Sequence, residues 1–155
     1  MVVYAGQSLS LTNEEIEALL KGARMARFCS HNKDGTIHAV PMSYKYENGQ
    51  IIMPTSTSSR KVRNVERNPN VTVLIDVEKQ PVKCVIIYGR AELECNDIMT
   101  SGVSVYEKTM PRDQAERLIR GLLKLKKIVT IRVNVKRIVS FDAAKDKAFQ
   151  TALKG

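Results

Sequence analysis

The sequence predicts a mainly β protein, a single domain built as an antiparallel barrel of six to seven strands with a few short helices set between them. Three observations carry that prediction. Short β-branched and alternating runs recur along the chain, several of the turns between them have hairpin chemistry, and the helical stretches do not alternate one for one with strands as a parallel doubly wound sheet requires. With 155 residues, 43% of them hydrophobic, residues 1–155 can bury one sizeable core without a structural metal.

Thr12-Asn13-Glu14-Glu15 has the spacing of a capping box and starts a helix whose Ile16, Leu19, Leu20 and Ala23 form one apolar stripe. From Arg24 the pattern turns to β. Met25 to Ser30 leads into the polar turn Asn32-Lys33-Asp34-Gly35, and the returning strand runs from Thr36 to Tyr46. Glu47-Asn48-Gly49-Gln50 is a second turn with the strongest two-residue hairpin signal, so Ile51-Ile52-Met53 completes an expected three-stranded meander.

After the hydroxyl-rich run Thr55-Ser56-Thr57-Ser58-Ser59 comes a helix from Arg60 to Arg67, with Val62 and Val65 inward and Asn68-Pro69 as its stop. Val71–Ile75 and Val82–Gly89 read as an antiparallel pair, with Gly89 marking a bulge or bend. Residues 97–126 read as two helices broken at Met110-Pro111, the second with an apolar face of Leu118, Ile119, Leu122, Leu123 and Leu125. Two last strands are expected, Ile128–Val135 and Arg137–Asp142, followed by a mobile basic tail over 143–155.

Charge and cysteine usage narrow the chemistry. The formal net charge of +9 favours anionic partners. Cys29, Cys84 and Cys95 are widely spaced with no Cys-x-x-Cys pair, so neither a disulfide framework nor a zinc ribbon is indicated. No apolar run reaches the length of a membrane span, and Met1 to Gly6 lacks a basic segment followed by an apolar one, so a cytoplasmic protein with no membrane partner is expected. His31 and Cys29 have no third ligand at metal spacing, and no metal site is expected. No nucleophile elbow, Walker loop or dinucleotide-binding glycine motif is present.

The hydroxyl run and the helix after it suit an anion. A helix start presents unpaired amides and the positive end of its dipole, the serines and threonines add donors, and Arg60 and Lys61 add charge. An Arg fork and a Lys point charge together suit a phosphomonoester. The alternative reading of the same residues is a flexible loop beside a solvated helix face.

The stretch from Met25 to Asp76 resembles the pyridoxamine 5′-phosphate oxidase-like family of flavin-binding split β-barrels. The residues that carry the resemblance are a strand-turn-strand unit ending in Ser59-Arg60-Lys61, then Asn68-Pro69 and the strand Val71–Ile75. Tyr88-Gly89-Arg90-Ala91-Glu92 and Ile131–Asp142 extend it over most of the chain. The resemblance implies flavin mononucleotide (FMN) as cofactor, with a deazaflavin as the alternative. Ala39, Val40, Pro41, Met42 and Ser43 would lie beside the ring, Pro54 and Thr55 near the ribityl chain, and Ser59, Arg60 and Lys61 at the phosphate. It further implies a homodimer with the cofactor at its interface and an oxidoreductase passing electrons between a nicotinamide and a small acceptor. A flavin carrier without turnover stays open.

The segment Arg137–Asp142 does not show the arginine and histidine with which pyridoxamine-phosphate oxidase itself holds its substrate, so vitamin B6 oxidation is not implied. No catalytic residue is identified. Ser43, Tyr44 and Tyr88 are the proton-donor candidates because their strands should approach the ring. The competing class is a nucleic-acid-binding basic barrel, carried by Lys124-Lys126-Lys127, Arg132-Lys136-Arg137 and Lys145-Lys147-Lys154. With aromatic residues at 5%, a base-stacking platform is hard to assemble, and nucleic acid is the weaker expectation.

Overall fold

Local rules place most of the elements in the computed structural model, which describes residues 2–3, 9–23 and 25–155. The expected change of pattern at Arg24, and most of Met1 to Gly6, lie outside the described residues. Helix α1 (Asn13–Gly22) starts at the capping box: Thr12 accepts from the Glu15 amide, and the Glu15 carboxylate accepts from the Thr12 amide at 2.7 Å. Its Ile16, Leu19 and Leu20 are buried, which is the face the spacing predicts.

The strands are β1 (Val2–Val3), β2 (Met25–His31), β3 (Ile37–Ser43), β4 (Lys45–Glu47), β5 (Gln50–Ser56), β6 (Asn70–Asp76), β7 (Lys83–Glu94) and β8 (Ile128–Asp142). Helices α2 (Arg60–Arg67), α3 (Ile98–Tyr106), α4 (Arg112–Leu125) and α5 (Lys147–Ala152) complete the chain. The main sheet runs in the order β3-β2-β6-β7-β8-β5-β4, antiparallel throughout, with β1 added in parallel to β8. β3 and β4 stand at opposite ends of this order, yet only Tyr44 separates them in sequence. The sheet must therefore curl until its two ends meet, which makes a half-barrel of mainly β class.

The expected meander is corrected here. Thr36 to Tyr46 does not form one strand, because the chain breaks at Tyr44, whose ring is fully buried and whose hydroxyl donates to the Leu20 carbonyl at 2.6 Å. The Asn48-Gly49 turn is present, with both residues at positive φ, but it joins β5 only to the three-residue β4. The longer partner of β5 is β8, from Gln50 opposite Asn134 to Ser56 opposite Ile128.

A second correction concerns the C-terminal strands. Residues 128–142 form one continuous strand, not two. Tyr88 pairs with Arg137 and Gly89 with Val135, so Lys136 is the extra residue of a bulge rather than a turn. Residues 143–152, within the expected tail, form a 3-10 turn (Ala143–Lys145) and α5, which Asp142 and Asp146 cap through the amides of Ala144 and Ala148.

Phe28, Tyr44, Ile51, Met53, Ile75, Ile87, Ile131 and Ile138 fill the barrel, closed by Ile16 and Leu20 of α1 and by Val62 and Val65 of α2. A separate small core of Val103, Ala115 and Ile119 holds α3 and α4 together, with Leu122 packed at its margin. Leu123 and Leu125, expected on the same apolar face, are exposed. Among the described residues no helix is long and apolar enough to cross a membrane.

Candidate functional site

Where the curled sheet meets the α3–α4 hairpin, a cleft of about 410 Å³ opens. One wall is β structure: Met25 from β2, Pro41, Met42 and Ser43 from β3, and Pro54, Thr55 and Ser56 from the end of β5. The opposite wall is helical, with Tyr106, Ile119 and Leu122, and it is completed by Lys126 and Ile128 where α4 gives way to β8. Ser59 and Lys61 close one end at the start of α2.

That end has the electrostatics of an anion site. Ser59 is the N-cap residue of α2, with extended backbone, but its hydroxyl makes no capping bond. The Ser59 Oγ is buried and has no hydrogen-bond partner. Buried polar atoms are almost always paired, so an orphan of this kind needs an explanation. Lys61 is half-buried and makes no ion pair among the described residues, and burial holds its pKa below the ordinary lysine value. The first amides of a helix have no intrahelical acceptor, and here they share this end of the cleft with the hydroxyl and the ammonium.

The structure brings Pro41, Met42, Ser43, Pro54, Thr55, Ser59 and Lys61 together around one space. It places three predicted residues elsewhere. Ala39 is exposed two residues up the β3 edge, and Val40 packs against the barrel core. Arg60 lines a second, basic cleft of about 340 Å³ with Lys33, Asp34, Arg63 and Arg67. Successive residues on a helix point about 100° apart, and here Lys61 lines the first cleft while Arg60 lines the second.

Sequence reasoning missed Met25, Tyr106, Lys126 and Ile128 as wall residues, while Ser56 belongs to the hydroxyl run it placed at the anion site. Ile119 and Leu122 were legible only as an apolar stripe, and nothing local says that a helix so distant in sequence faces Pro41.

The proton-donor candidates separate in the same way. Ser43 lines the cleft. Tyr88 lies elsewhere on the sheet beneath the Arg137 guanidinium, 4.2 Å from it. Tyr44 is in the core with its pKa pushed up by burial, and Lys108 sits 4.0 Å above its ring. Tyr44→Phe is expected to cost about 1–2 kcal/mol of stability in urea unfolding, the loss of one buried hydrogen bond, while leaving ligand affinity unchanged. A change in affinity without a change in stability would return Tyr44 to the site.

The basic clusters are partly spent on internal contacts. Arg132 pairs with Glu94, and Lys145 pairs with Glu15 at 2.7 Å while donating to the Ser10 carbonyl. Among the described residues no group of three His, Cys, Asp or Glu side chains is placed to hold a metal ion.

The sheet face that carries Met25, Pro41 and Ser43 continues away from the cleft. Side chains alternate across a strand, so Ile37 and Ala39 share that face, and across the ladder Pro41 is followed by Arg27, Leu74, Ile86 and Val139. Ile37 is 55% exposed, and Leu74, Ile86 and Val139 are partly exposed.

Comparisons with known proteins agree with this fold. Residues 12–132 match the family model described as pyridoxamine 5′-phosphate oxidase. A conserved hypothetical protein of Mycobacterium tuberculosis superposes with a TM-score of 0.80 at 24% identity, covering 90% of each chain. A FAD-binding protein of Mesorhizobium loti gives 0.60 at 22% identity over 84% of this chain and 94% of its own. A structure named F420 reductase gives 0.62 at 17% identity over 79% and 94%. No curated protein matches the sequence.

Proposed function

The chain belongs to the pyridoxamine 5′-phosphate oxidase family, and from that premise we propose that it binds FMN in the cleft and works as an oxidoreductase. The observation that carries the cofactor reading is the Ser59 hydroxyl and the Lys61 ammonium at one end of the cleft, a buried donor and a cation with no hydrogen-bond or ion-pair partner among the described residues. A phosphate there satisfies both, and it also takes the free amides of the α2 start. Pro41, Met42 and Ser43 on the strand wall and Ile119 and Leu122 on the helical wall would hold the ring, and Pro54 and Thr55, which line the same cleft, would hold the ribityl chain.

When bound, a flavin supplies hydride or electron transfer at its own ring. The chain's residues bind, orient and exclude water. Ser43 and Tyr106 are the neutral hydroxyl-bearing side chains on opposite walls of the slot and are the groups available to hold a small acceptor there. A nicotinamide is the electron donor in this reading. Electron passage to the acceptor then needs no protein nucleophile.

The same slot and phosphate end suit a deazaflavin, the cofactor class named in one structural neighbour, and that is the second reading. We place the functional unit as a homodimer, because the sheet face that bears Ile37, Leu74, Ile86 and Val139 also bears Met25, Pro41 and Ser43 of the cleft. A second copy covering the one would close over the other.

A direct test is the visible absorption of the purified protein, followed by titration of the colourless form with FMN and with a deazaflavin. Saturable FMN binding supports the reading, deazaflavin binding alone moves it to the second cofactor, and binding of neither removes it.

The pH profile provides a further check. Lys61 has a depressed pKa, so its charge, and the affinity it lends, is present at low pH and is lost as pH rises through that depressed value. The phosphate gains its second charge near pH ~6. FMN affinity is therefore expected to rise through about pH 6, level off, and fall at a lower pH than an ordinary lysine would give. Lys61→Arg should abolish the alkaline fall, because a guanidinium stays charged. An alkaline limb that persists in the arginine variant would assign the titration to another group.

A further inference from the structure

We propose that Lys126, a residue the sequence offers only as part of a basic run, is a second cation for the cofactor's phosphate beside Lys61. The inference rests on the phosphate reading of the cleft and adds a residue from a distant part of the chain. Its basis is the way two segments are joined. β5 and β8 end their ladder with Ser56 opposite Ile128, and one further bond, from the Thr57 amide to the Lys127 carbonyl at 3.0 Å, continues it. This lays the hydroxyl loop of residues 56–59 alongside the junction between α4 and β8. Lys126 is the C-cap of α4, with extended backbone and its amide bonded to the Leu122 carbonyl, and its side chain lines the same cleft as Ser56, Ser59 and Lys61. It makes no ion pair among the described residues.

A plain alternative exists for such a lysine. A cation at a helix C-terminus offsets the negative end of the dipole and needs no ligand. The two roles differ in what they do to affinity. A capping charge acts on the fold whether or not a phosphate is present, whereas a phosphate contact acts only on the phosphorylated flavin.

The experiment compares FMN with riboflavin, which lacks the phosphate, in the wild-type protein and in Lys126→Ala, Lys126→Arg, Lys61→Ala and Lys124→Ala. Lys124 is an exposed neighbour at the end of the same helix and does not line the cleft. The expected result is that Lys126→Ala weakens FMN about five- to twentyfold, leaves riboflavin within about twofold, and is largely rescued by arginine, with Lys124→Ala unchanged. If Lys126→Ala binds FMN like wild type while Lys61→Ala does not, Lys126 is a helix cap only and the phosphate reading survives. If wild type binds FMN and riboflavin equally, the phosphate reading itself falls, and this inference with it.

Discussion

Lys61→Ala is expected to weaken FMN binding by about ten- to a hundredfold without unfolding the protein. The size follows from the loss of one charge-assisted phosphate contact, about 1.5–3 kcal/mol. The fold should survive because Lys61 is only half-buried, makes no ion pair among the described residues, and is held there against a desolvation cost that burial already shows in its lowered pKa. Removing it relieves that cost, so the free protein should keep or slightly gain stability. Arg60→Ala is the informative partner, since Arg60 lines the other cleft, and its loss should change affinity by no more than about threefold through long-range charge. Isothermal titration of both variants decides between them. Equal losses would mean that the α2 start turns on binding the cofactor, and a null result for Lys61 would remove the phosphate from this end of the cleft.

Gly89→Ala should be the most damaging small substitution in the barrel. A β-carbon at this position would lie 2.5 Å from Val133 Cγ1 and 2.7 Å from the Asn134 carbonyl oxygen. The valine could turn, but the carbonyl belongs to the β8 backbone. The bulge that lets Gly89 pair with Val135 would have to open. Over-packing of this kind costs about 1–3 kcal/mol, and the rigid backbone partner puts Gly89 at the upper end. The urea midpoint should fall with the slope unchanged. Gly121 gives the contrast, because it sits within α4 with nothing within 4 Å of an added β-carbon. Gly121→Ala should stabilise by about 0.5–1 kcal/mol from helix propensity alone. If both substitutions behave alike, the close approach of β7 and β8 is softer than a 2.7 Å separation from backbone implies.

Much of the site was legible because its strongest signals are local. The hydroxyl run, the helix start at Ser59 and the charge of Lys61 are adjacent in sequence and remain adjacent when folded, and Pro41, Met42 and Ser43 lie on one short strand. Arg60 differs from the expectation for a simple reason: Ser-Arg-Lys read as a string puts two cations at one place, while in the structure the turn of the helix has Arg60 and Lys61 lining different clefts. Tyr44 was misread for a related reason. Nothing in a strand-like run marks the residue at which the chain leaves one sheet edge for another, and only the bond to Leu20 and the packing around the ring show it.

The sequence by itself determined several element boundaries. The capping box at Thr12, the stop at Asn68-Pro69, the break at Met110-Pro111 and the bulge at Gly89 are set by backbone chemistry acting over a few residues, and each is where its residues require. Only the tertiary structure decided which strand lies beside which. β2 pairs with β6 from Arg27 opposite Leu74 to Cys29 opposite Thr72, β5 takes β8 rather than β3, and Lys136 becomes a bulge residue instead of a turn. Such pairings bury apolar faces that every strand of this chain could offer to several others. The choice among them is made by how the whole core packs, and so the helical wall of the cleft, Tyr106, Leu122 and Lys126, could be found only in the folded molecule.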